Sequence, residues 1–187
     1  FHGIPVLGYR FRRFDPEKAL ALITKHQIRN TFLPPTALKF IRQLPESISQ
    51  VQKSLRSIMS AEEPLGAEML KWGADCLNVK INEMYGQTEV NYFIGNCQTL
   101  EPAKPGSMGR PYPGHQAAVI DENGLQLGPE KMGEIAFYAP GDPIVFLKYW
   151  NNEQGTREKY MGNWIRSGDE GSVDEDGFFW FSGRTDD

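Results

Sequence analysis

Seven consecutive residues, Glu83-Met84-Tyr85-Gly86-Gln87-Thr88-Glu89, put a phenol, a carboxamide, a hydroxyl and two carboxylates around one glycine. The apolar run Val79-Lys80-Ile81-Asn82-Glu83 predicts a strand leading into this segment, and a helix is expected after it. A strand-to-helix turn binds anions, because orphan backbone N–H groups and the helix dipole converge there. Gly86 would let the backbone approach a ligand closely. Glu89 is a hard oxygen ligand of the kind that shares Mg²⁺ with a phosphate. The same residues also suit a plain turn, with Thr88 as a cap and Glu89 in water. Taken alone they leave both readings open.

Two later segments could act on sugar and phosphate oxygens. Asp169, in Ser167-Gly168-Asp169, follows a small-residue pair. A carboxylate after a tight turn can accept two hydrogen bonds together, as a vicinal diol offers. The alternative is a turn aspartate satisfied by its own backbone. Arg184, in Phe181-Ser182-Gly183-Arg184-Thr185-Asp186-Asp187, carries a forked guanidinium suited to paired oxygens. The alternative there is a charged surface turn. Ser60-Ala61-Glu62-Glu63-Pro64-Leu65 and Thr31-Phe32-Leu33-Pro34-Pro35-Thr36 are further strand-end segments. For the second, a buried strand capped by prolines is an equal reading.

Several chemistries are excluded. His2, His26 and His115 are scattered and make no metal set, and Cys76 and Cys97 match neither a disulfide framework nor a zinc spacing. Both cysteines read as reduced thiols. No Ser-His-Asp arrangement and no Walker loop is legible. The formal charge of -4 argues against a nucleic-acid or membrane-surface partner. No apolar run is long enough for a membrane span and no signal peptide is visible, so a cytoplasmic protein is expected. The chain of 187 residues starts at Phe1 and stops at Asp187, and reads as a fragment of a longer protein.

The positioning elements follow from pattern. Asp15 is a helix N-cap and Pro16 a first helical residue, with Ala19, Leu20, Leu22 and Ile23 as the apolar face. Ile28–Leu33 predicts a strand, Thr36–Leu44 a helix closed by Pro45, Leu55–Met59 a strand and Leu65–Cys76 a helix. From about residue 105 the texture changes to turn pairs such as Asn123-Gly124 and Asp176-Gly177 between alternating strands, interrupted by one helix near Asn152–Tyr160. Trp150, Trp164, Phe178, Phe179, Trp180 and Phe181 read as core and sheet-face aromatics. The expected class is α/β: a mostly parallel sheet with flanking helices over residues 1–104, then a small antiparallel, barrel-like β subdomain over 105–187.

Tyr85-Gly86-Gln87-Thr88-Glu89, Ser167-Gly168-Asp169 and Gly183-Arg184-Thr185-Asp186-Asp187 together, in this order, resemble the AMP-forming acyl-CoA synthetases of the adenylate-forming superfamily. The resemblance implies that Tyr85 stacks on adenine, Thr88 contacts the α-phosphate and Glu89 serves Mg²⁺, with Thr88 and Glu89 as the catalytic pair. Asp169 would bind ribose, Arg184 ribose or phosphate oxygens, and Asp186 would be the hinge of a following domain. Glu63 and Pro64 would edge adenine, in a segment where the family has Gly-Glu-Pro and this chain has Glu62 for the glycine. Glu83, Met84, Gly86 and Gln87 complete the expected nucleotide contacts, and Gly86 with Ala61 the acyl pocket.

Short-acid relatives carry tryptophan at the position of Gly86, so a longer pocket for a medium-chain or aromatic acid is expected. Ser167 stands where the family has threonine. The implied parent is an ATP-dependent ligase using ATP, Mg²⁺, coenzyme A and a small carboxylic acid. The lysine-ended loop and the C-terminal lysine of the family are expected outside this segment, in the missing N-terminal half and C-terminal domain, which would leave the piece alone inactive. The alternatives are an aryl-CoA ligase, a carrier-protein-loading adenylation domain, or a non-catalytic nucleotide-binding fragment.

Overall fold

In the computed structural model, which describes residues 3–44, 54–63 and 65–185, two sheets stand side by side. Helix α1 (Pro16–Lys25) begins as expected: the Asp15 side chain accepts a hydrogen bond from the Lys18 N–H at 3.0 Å, and Leu20 and Ile23 turn inward. Strand β1 (Asn30–Phe32), helix α2 (Pro35–Arg42), strand β2 (Ser57–Ser60), helix α3 (Ala67–Leu77) and strand β3 (Lys80–Gln87) follow. Strands β1, β2 and β3 pair in parallel, with Ile58 opposite Ile81. Leu38, Ile41, Ile58, Leu65, Trp72, Leu77 and Ile81 form the core between this sheet and its helices. Pro45, expected to close α2, lies outside the described residues.

The helix expected after Glu83–Glu89 does not form. β3 runs on to Gln87, turns through Thr88–Val90 and returns as strand β4 (Asn91–Gly95), antiparallel to β3. Asn91, in the left-handed region at φ 55°, helps reverse the chain. The reason for a hairpin lies in its far side. Val90, Phe93 and Ile94 are fully buried among Val119, Ile135, Phe137 and Ile165 of the second sheet. A strand with aromatic and β-branched residues fills that space. The helix-dipole argument for anion binding at this segment therefore falls away. Strand β5 (Arg110–Pro111) pairs with β4, so the first sheet is parallel over three strands and antiparallel over the last two.

The second sheet has the order β10-β9-β7-β6, all antiparallel, from β6 (Ala117–Ile120), β7 (Gly133–Tyr138), β9 (Trp164–Val173) and β10 (Phe179–Arg184). Helix α4 (Glu153–Glu158), capped by Asn152, and the two-residue strand β8 (Tyr160–Met161) lie between β7 and β9. These match the pattern of turn pairs and alternating strands. No described helix is long and apolar enough to cross a membrane.

Candidate functional site

The β3–β4 hairpin leans its tip over the second sheet, and a cleft of about 940 Å³ opens between them. That lies within the range of about 300–1,000 Å³ usual for ligand sites. Glu83, Met84, Tyr85, Gly86, Gln87 and Thr88 line one wall, Asp169, Phe181 and Arg184 another, and Ser60–Glu63 the rim.

Asp169 is the node of the cleft. It is buried and sits within β9, at an irregularity where Gly168 takes φ 77°, rather than after a free-standing turn. One carboxylate oxygen, Oδ2, accepts from the Tyr85 hydroxyl at 2.5 Å and from Gln87 Nε2 at 3.0 Å. The other, Oδ1, accepts from Arg184 Nη1 at 2.9 Å. Gln87 Nε2 also donates to the Ser167 carbonyl at 2.7 Å, and its Oε1 accepts from Lys159 Nζ at 3.2 Å. The turn aspartate satisfied by its own backbone is thus not what forms. Segments some 80 residues apart meet on this one carboxylate. Glu134 braces the bulge: it accepts from Arg166 Nε and from the Gly168 N–H, both at 2.8 Å. Burial, with the Asp169 carboxylate facing it, pushes the Tyr85 phenol well above its usual range.

The two glutamates of the segment differ sharply. Glu83 is buried; its Oε1 accepts from the Leu65 N–H at 2.7 Å, while Oε2 is buried with no hydrogen-bond partner among the described residues. Burial raises its carboxyl to about 7 against the opposing pull of the Leu65 N–H. Glu89 is only half-buried. Desolvation acts upward on it, but the Tyr149 hydroxyl, its own N–H and the Lys159 charge outweigh this and hold it below its ordinary value. Tyr149 donates its hydroxyl to Glu89 Oε1.

Among the described residues no group of three or more His, Cys, Asp or Glu side chains could cage a metal ion. Mg²⁺ usually takes one or two carboxylates and otherwise waters and phosphates. Glu89, held in its ionised form and half-buried, suits that role by chemistry, although of the turn residues Thr88 and not Glu89 lines the cleft. Glu83, buried and with its carboxyl raised to about 7, suits it less.

The rim carries two departures from simple expectation. Glu62 adopts φ 84°, a left-handed conformation that favours glycine, at the position where the family pattern has glycine. The Glu63 side chain turns from the cleft toward α2, accepting from Thr36 Oγ1 at 2.9 Å with Lys39 3.7 Å away. Ala61 is buried at the cleft wall. Pro64 and Asp186 lie outside the described residues. A Cβ on Gly86 would lie 1.6 Å from the Asn91 carbonyl oxygen, so closure of the hairpin itself demands glycine there.

The aromatic cluster is divided. Phe178 and Phe179 are buried as expected, but Phe181 is 40% exposed and faces the cleft, and Trp150 is 85% exposed in a loop. Strand alternation puts Phe179 and Phe181 on one face of β10 and so gives no warning that Phe181 opens to the cleft. Tyr149, Lys159 and Met108 had no signal either.

The comparisons agree with this architecture. A family described as AMP-binding enzyme matches residues 1–150. The chain belongs to the AMP-binding enzyme family. Human mitochondrial acyl-coenzyme A synthetase ACSM4 is 37% identical over 188 residues, with 99% of this chain and 32% of that protein covered. Acetyl-coenzyme A synthetase of Bacillus subtilis (strain 168) is 35% identical over 179 residues, with 94% and 31% covered. An anthranilate CoA ligase solved in complex with anthranoyl-AMP superposes with a TM-score of 0.82 at 28% identity, covering 92% of this chain and 32% of that one. The chain spans about a third of the length of the curated relatives it matches. These relatives are named as acyl-CoA or aryl-CoA ligases, and the acids in two of the names, acetate and anthranilate, differ.

Proposed function

We propose that the chain forms the nucleotide and acyl wall of an ATP-dependent carboxylic acid–CoA ligase. The observation that carries this reading is the convergence of Tyr85, Gln87 and Arg184 on the buried Asp169 inside a cleft large enough for a nucleotide. In the whole enzyme the acid's carboxylate attacks the α-phosphorus of ATP and pyrophosphate leaves. The coenzyme A thiol then displaces AMP to give the thioester. The residues here hold and orient: Asp169 accepts the ribose hydroxyls, Tyr85 and Phe181 offer ring faces to the base, and Thr88 meets the α-phosphate. Arg184 supplies charge beside the ribose and phosphates. Glu83, Met84, Gly86 and Gln87 complete that wall, Glu63 and Pro64 its adenine edge, and Asp186 the hinge. Glu89 would hold Mg²⁺, whose chemistry is to neutralise phosphate charge.

The acid is medium-chain or aromatic in this reading, which rests on glycine standing at position 86, where short-acid relatives carry tryptophan. Hairpin closure at Gly86 is a separate reason for glycine there, so the substrate itself must decide. The test is acid-dependent pyrophosphate release by the full-length protein across acetate, hexanoate and benzoate. Hexanoate or benzoate should lead, and Asp169→Ala should cut the rate about 100-fold. No acid-dependent release from ATP would overturn the ligase reading, and a lead for acetate would overturn the acid. Release of the adenylate only to a carrier-protein thiol would instead favour a loading adenylation domain.

A further inference from the structure

We infer that Tyr149 is a positioning residue for Glu89, fixing its carboxylate in one orientation for the metal role proposed above. This rests on the proposed metal role of Glu89. One loop grips that residue twice: the Phe146 N–H donates to the Glu89 carbonyl at 2.7 Å, and the Tyr149 hydroxyl donates to Glu89 Oε1. The loop is itself anchored. The Tyr149 N–H donates to Thr156 Oγ1 at 3.0 Å, and that hydroxyl donates to the Asn152 carbonyl at 2.7 Å, within the cap of α4. The Tyr149 ring packs on Phe146, with centroids 4.9 Å apart, and Phe146 stacks on Tyr160 at 6.0 Å.

A carboxylate at a hairpin tip would otherwise sample several rotamers, and restricting it lowers the entropy cost of metal binding. The partners that orient a ligating carboxylate typically alter metal affinity 10–100-fold when removed. Lys159 approaches the same tip, donating to Gln87 Oε1 at 3.2 Å.

The experiment uses the full-length protein with a non-hydrolysable ATP analogue, titrating Mn²⁺ by electron paramagnetic resonance. Mg²⁺ dependence of pyrophosphate release is measured in parallel. Tyr149→Phe removes only the hydroxyl and should raise the half-saturating Mn²⁺ and Mg²⁺ concentrations about 10-fold at unchanged Tm and unchanged KM for the acid. Thr156→Val, which touches the anchor and not Glu89, should give a smaller shift in the same direction. Glu89→Gln separates the two claims. If it shifts Mn²⁺ binding while Tyr149→Phe and Thr156→Val both match the wild type, the positioning role is wrong and the metal role stands. If Glu89→Gln leaves Mn²⁺ binding unchanged, the metal reading fails and this inference falls with it. A lower Tm for Tyr149→Phe at wild-type Mn²⁺ affinity marks a purely structural tyrosine and also overturns the role.

Discussion

The base and the tip of the β3–β4 hairpin each carry a glutamate, and the two have opposite electrostatics. Glu83 at the base lies between the first sheet and the rim, buried, with one N–H donor for its two oxygens. Desolvation wins there and the proton is retained to about pH 7. Glu89 at the tip, six positions later, is partly open to water and has a phenol and a nearby lysine, so the charge wins. The difference is one of surroundings and not of residue type. A buried acid is suited to structure, while a half-buried, donor-supported one can serve a cation.

The largest expected effect tests the base. A carboxyl raised in the folded state contributes its full stability below its unfolded value of 4.5, and that contribution is lost as pH rises through about 7. Ionising the wild-type side chain at pH 8 should therefore cost about 3 kcal/mol relative to pH 4.5. Glu83→Gln should remove this dependence and be the more stable protein at pH 8. Urea denaturation of both proteins from pH 4.5 to 8 reads it. A constant difference between them across that window would erase the contrast between base and tip.

At the tip the readout is catalytic. Glu89→Gln should lower the adenylation rate of the full-length enzyme by up to about 100-fold and leave the midpoint in urea nearly unchanged. Glu83→Gln should do the reverse, changing stability more than rate at saturating Mg²⁺. Equal effects of both substitutions on rate would contradict the division of roles.

The hairpin's closure is tested at Gly86. Gly86→Ala places its Cβ against the Asn91 carbonyl and should destabilise the chain by about 2 kcal/mol, measured by thermal unfolding. An unchanged Tm would show that the hairpin opens without cost and would strengthen the reading of Gly86 as a missing pocket wall. The smallest effect belongs to the rim. Glu62→Gly relieves a positive φ and should stabilise by about 1 kcal/mol. If differential scanning calorimetry shows a loss instead, contacts of the Glu62 side chain outweigh the strain.

Much of the fold was legible because local rules set it. The Asp15-Pro16 start of α1, the short helix near Asn152 and the turn pairs between β6, β7, β9 and β10 are each set within a few residues. The β3–β4 hairpin was not legible, because Val90-Asn91-Tyr92-Phe93-Ile94 becomes a strand only against the core of the second sheet. Trp150, read as a core or sheet-face aromatic, lies exposed in a loop instead: aromatic type alone does not reveal which residues meet a core.

The order Tyr85–Glu89, Asp169, Arg184 was a property of the sequence by itself, as were the residue types able to bind a diol, a base and a cation. Tertiary structure alone decided that Tyr85, Gln87 and Arg184 share one carboxylate, and that Tyr149 reaches Glu89 across 60 positions. It also decided that two glutamates on one hairpin hold their protons so differently. Spacing along a chain governs turns and caps, whereas desolvation and long-range hydrogen bonds depend on which surfaces are buried together.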